Sequence, residues 1–163
     1  MNPLKTATDW ARTEMLSNSA FILIGIAFLA NCFILWHMCR TEMARSFVWP
    51  MGVAGVLLLI LGGGLLFGTW SSLSGFAEAA THVQSFVTSE HARIDQTRAG
   101  YATAVFKVMP LMVAAAALGI VFFDGPLWRA SFITAVAFLS VVMVVDSMAD
   151  ARLGHYRAQL AQG

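Results

Sequence analysis

FVWPMGVAGVLLLILGGGLLFGTW, residues 47–70, holds no charged side chain. A helix rises about 1.5 Å per residue, so a hydrocarbon core about 30 Å thick needs about 20 apolar residues. This stretch is long enough, and the first expectation is a membrane-spanning helix. Three more apolar stretches follow the same logic: 20–38, 102–123 and 127–145. The third contains Lys107 and the fourth contains Arg129 near its start. In lipid an unpaired backbone group costs several kcal/mol, so each stretch is expected to be helical throughout.

The composition agrees. Of 163 residues, 58% are hydrophobic and 12% charged, against about 25% charged in a soluble domain. The net charge of +1 argues against a nucleic-acid binder, which needs clustered Lys and Arg to neutralise phosphates. The N-terminal segment carries Asp9 and Glu14, and the apolar stretch after it exceeds the length typical of a signal-peptide core. The first span is therefore expected to be retained. Cys32 and Cys39 share a helix but lie roughly 10 Å apart in rise, too far for a disulfide.

Four spans place both termini on one side. The segments on that side hold Lys5, Arg12, Arg93, Arg98, Lys107, Arg152 and Arg157, and the opposite loops hold only Arg40, Arg45 and Arg129. The positive-inside rule then puts both termini in the cytoplasm, most simply of a bacterial inner membrane. The expected fold is an all-α membrane protein over 1–163, a single four-helix bundle running up-down-up-down. The outer connections are short, and Asp124-Gly125-Pro126 is strong turn chemistry. The inner connection is long but periodic. Trp70, Leu73, Ala77, Ala80, Val83 and Val87 recur every three or four residues. The second helix is thus expected to continue to about Val87 and turn at Thr88 and Ser89. The third then starts near Glu90, with Ser89 as its N-cap, and both helices extend into the cytoplasm. Gly64, Gly68 and Ser72 form a small-residue ridge, as do Ala115 and Gly119, and such ridges let helices approach closely in lipid. Pro110 lies inside the third helix and should bend it.

The charges that remain near the spans are the candidate site. Counted from Gly125 at about 1.5 Å per residue, Asp146 lies roughly 31 Å down the fourth helix and Lys107 roughly 27 Å down the third. Both depths are near the inner edge of the hydrocarbon core, and Asp146 is expected to pair with Lys107. Glu14 and Arg98 are each roughly 40 Å from the turn of their own hairpin. They are expected to pair one layer further in, with Asp150 in the same network. This network reads either as structural anchoring or as an ion path.

Two clusters could hold a metal. His37, Cys39 and Met43 are ligand types that suit copper(I), and Glu78 with His82 shares a helical face suited to zinc. A di-iron bundle would need Glu-x-x-His on two helices, and the sequence has no such pair. The main reading needs no cofactor. Walker, Rossmann and hydrolase signatures are missing from the sequence.

Three functions compete. The first is a small non-enzymatic inner-membrane interaction protein: an accessory subunit, assembly factor or immunity-type protein. The second is an oligomeric small transporter or channel. The third is a copper- or zinc-binding membrane protein. The partners in each case are the lipid bilayer and either another protein or further copies of the chain.

Overall fold

The computed structural model describes the backbone of residues 3–78 and 83–160, and the side chains of residues 8–71, 92–100 and 102–158. Every element among them is helical: α1 (Pro3–Met38), α2 (Glu42–Ser46), α3 (Val48–Glu78), α4 (Val83–Thr103), a π-helical turn (Ala104–Val108), α5 (Met109–Phe122) and α6 (Pro126–Leu160). Four stretches are long and apolar enough to cross a membrane: Thr8–Met38, Glu42–Ser71, Ala92–Phe122 and Pro126–Ala158. The expected spans fall within them, except that Phe123 has already left the helix.

The connection between α3 and α4 departs from expectation. Residues 83–103 are one helix, so Ser89 is an interior residue and not an N-cap. The sequence between Val83 and Gly100 holds no Pro or Gly. Ser and Thr cost a helix interior only a few tenths of a kcal/mol, too little to stop it. Residues 79–82, between the two helices, lie outside the described residues.

The irregularity that Pro110 implies sits one turn upstream of it. Proline lacks the N–H that would bond to residue 106, and its ring crowds that carbonyl. The chain widens to a π-turn at Ala104–Val108, and Pro110 then occupies the first turn of α5. At the other break, Phe123 is extended and α6 restarts with Pro126 at its first position, where a missing N–H costs nothing. Arg129 donates to the Phe123 carbonyl at 3.3 Å and to Asp124 at 2.6 Å, so its charge is committed to closing this turn.

α1 and α3 make the most extensive contact, and glycine makes it close. A Cβ at Gly25 would lie 3.1 Å from the Gly55 carbonyl oxygen, and one at Gly55 would lie 2.8 Å from Leu29. Gly62 would meet Ile22 at 2.8 Å and Phe21 at 3.0 Å. These contacts descend α1 as they ascend α3. The seam therefore runs through Gly55 and Gly62, two turns apart on one face. Gly64 and Gly68 lie off it: among the described residues no atom beyond their own helix backbone comes within 4 Å of the Cβ that would be added. The second ridge is corrected by one residue: Ala116 and Gly119 are buried and Ala115 is exposed. Gly119 receives the ring of Phe132 from α6. Between these pairs Phe21, Leu58, Val142 and Val145 form the core, with Phe28, Met109 and Phe138 packed around it.

Candidate functional site: a charged layer across the helices

Within two turns of that core the helices become charged. Glu14 of α1 and Arg152 of α6 pair at 3.2 Å, with side chains 12% and 24% exposed. Arg98 of α4 and Asp150 of α6 pair at 3.2 Å. Arg157 binds Asp95 through two contacts, at 2.8 and 3.0 Å. Two aromatic rings brace the layer: Trp10 stacks on Tyr156 with centroids 5.0 Å apart, and the Arg93 guanidinium lies 5.2 Å from the Trp10 ring centre. Gly154 packs beside Arg98: a Cβ added there would lie in ordinary contact with the guanidinium carbon, at 3.5 Å.

The expected residues gather at this level with different partners. Glu14 binds Arg152 in place of Arg98, and Arg98 binds Asp150. Depth does not separate these options, because Arg152 and Arg98 are equally far from Gly125 along the chain. Only the rotation of α6 about its axis brings Arg152 to α1. Lys107 belongs to the π-turn, is exposed and makes no ion pair among the described residues. Asp146 is half-buried, also lacks an ion pair among the described residues, and lies within electrostatic reach of Glu14. The two carboxylates repel where the sequence suggested a neutral pair. The sequence offers no mark for Arg93, Trp10 or Tyr156 as members of this layer, and only a matching depth for Arg152.

A cavity of about 180 Å³ opens inside this layer, lined from α1, α3, α4 and α6. Asn18, only 3% exposed, contributes its amide to the wall beside Glu14. Thr69 and Thr97 also line it; their hydroxyls donate to the Leu65 and Arg93 carbonyls at 2.9 and 2.8 Å, so their oxygens keep only acceptor capacity. Among the described residues the Trp10 Nε1 and an Arg152 Nη are buried donors without a protein partner. Such a chamber can hold water. Along α1, α6 and α3 it approaches the core: Asn18 is three residues from Phe21, Ala149 four from Val145, and Leu65 seven from Leu58.

His37 packs its ring against Phe33 and Trp36, with centroids 4.6 and 6.3 Å apart. Met43 is exposed on α2, across the 39–41 connection from His37. Cys39 is a free thiol, as is Cys32. The Glu78 side chain and all of His82 lie outside the described residues. Among the described residues no group of three or more His, Cys, Asp and Glu could hold a metal ion.

No protein-family model matches the chain, and no curated protein or solved structure matches it either.

Proposed function

We propose that this chain is a non-enzymatic integral membrane protein of the bacterial inner membrane that works by binding another protein, as an accessory subunit, assembly factor or immunity-type protein. Its four long helices cross up-down-up-down. Both termini, the charged layer and the α3–α4 projection lie in the cytoplasm. The observation that carries this reading is the pairing in the charged layer: Glu14, Asp150 and Asp95 are each committed to an arginine. These pairs tie α1, α4 and α6 into a rigid base. Phe21, Leu58, Val142 and Val145 close the chamber above, which argues against a polar path through one copy. One observation favours the oligomeric transporter or channel instead: Gly63 and Gly64 leave a face of α3 open to a second helix.

The test has two arms. In a Cys32→Ser, Cys39→Ser background, Asp124→Cys should react with an impermeant thiol reagent from outside and Ala158→Cys should not; the opposite labelling overturns the orientation. The purified chain in lipid vesicles should pass no monovalent ions and should run as a monomer once detergent mass is subtracted. Ion flux from a defined oligomer would replace the first reading with the second.

A further inference from the structure

The α1–α3 hairpin carries a groove that the charged layer does not explain. It has a volume of about 740 Å³, within the 300–1,000 Å³ typical of ligand pockets. Its floor is made of small groups: Gly52 has no side chain, and Cys32 folds down to donate its S–H to the Val48 carbonyl at 3.2 Å. Trp36 and Trp49 wall it, 66% and 78% exposed. Indoles of this kind favour the level of the lipid headgroups. Along α3 the groove runs from Val48 to Leu57, about 14 Å of helix. One leaflet of a bilayer core is about 15 Å deep. At the mouth stands Arg45, exposed at the end of α2, whose guanidinium has no ion-pair or hydrogen-bond partner among the described residues. Arg40 and Arg45 outnumber Glu42 in this connection.

We infer that this groove binds one membrane phospholipid, with an acyl chain between Trp36 and Trp49 and the phosphate on Arg45. The match is threefold. The apolar part is one leaflet long, the indoles lie at headgroup level, and the one charge that lines the groove among the described residues is a cation at its open end. Arginine presents a planar fork of donors that suits phosphate oxygens. This inference rests on the helices crossing a bilayer, but not on their orientation or on the protein partner. Neither labelling nor flux results bear on it.

The experiment titrates phosphatidylglycerol into the full chain in nonionic detergent and counts bound lipid by native mass spectrometry. The expected result is one tightly held lipid per chain. Arg45→Ala should weaken it about fivefold, the effect of one basic side chain at an anionic lipid surface. Arg45→Lys should keep most of the affinity, and diacylglycerol, which lacks the phosphate, should bind no better to wild type than to Arg45→Ala. Gly52→Leu should abolish binding by filling the floor, where even a Cβ meets the Cys32 sulfur at 3.4 Å. If that variant fails to fold, the Arg45 series decides, since an exposed side chain can be changed without disturbing the core. Three outcomes overturn the inference: equal binding across the Arg45 series, displacement of the lipid by millimolar inorganic phosphate, or a dimer that excludes lipid from the groove.

Discussion

Replacing Glu14 with Gln tests the charged layer most directly. The change keeps the shape of the side chain and removes one charge. Arg152 is then left with a side chain only 24% exposed and with one nitrogen already lacking a partner. Breaking a fully buried ion pair costs about 3–5 kcal/mol, because an uncompensated charge remains. Two effects reduce that figure here. The guanidinium keeps some contact with solvent, and the repulsion between Glu14 and Asp146 disappears. The expected loss is about 1–2 kcal/mol. A double-mutant cycle separates the two possible pairings. With Arg152→Met, Glu14→Gln should show a coupling of about 1 kcal/mol or more; with Arg98→Met the two effects should add to within about 0.5 kcal/mol. The assay is equilibrium unfolding in mixed micelles, followed by helical circular dichroism. A larger coupling to Arg98 than to Arg152 would refute the rotation of α6 described above.

Three further outcomes follow from the packing. Gly55→Ala should destabilise by about 1–3 kcal/mol, because its Cβ would sit 3.0 Å from the Gly25 carbonyl oxygen, whereas Gly64→Ala should change unfolding by less than about 0.5 kcal/mol. Gly119→Ala should loosen α5 from α6 at a similar cost of about 1–3 kcal/mol, since the Cβ would meet the Phe132 ring at 2.7 Å; faster amide exchange confined to α5 and the start of α6 would register it. Asp146→Asn should raise stability by up to about 1 kcal/mol, because it removes a half-buried charge that has no ion-pair partner among the described residues and ends its repulsion with Glu14, and Lys107→Met should add nothing to it. A loss on Asp146→Asn that Lys107→Met recovers would restore the pairing suggested by depth.

The number of long helices, their approximate limits and their apolar character were legible in the sequence. The reason is that these are one-dimensional properties. A charge-free run such as 47–70 has few alternatives in lipid, and Pro110 or Asp124-Gly125-Pro126 acts on the backbone wherever the helix points. Depth is legible too, because rise per residue is nearly constant, and so Glu14 and Arg98 read as one layer. Rotation about the helix axis was not legible. In a chain this apolar every face of α3 or α5 resembles the others, so the hydrophobic pattern could not show that Gly55 and Gly62 form the seam in place of Gly64 and Gly68. The same missing angle exchanged Arg98 for Arg152 as the partner of Glu14. Tertiary structure settled that angle by steric fit: where Leu29, Ile22 and Phe132 needed space, a glycine had to face them, and the charges followed the rotation this imposed.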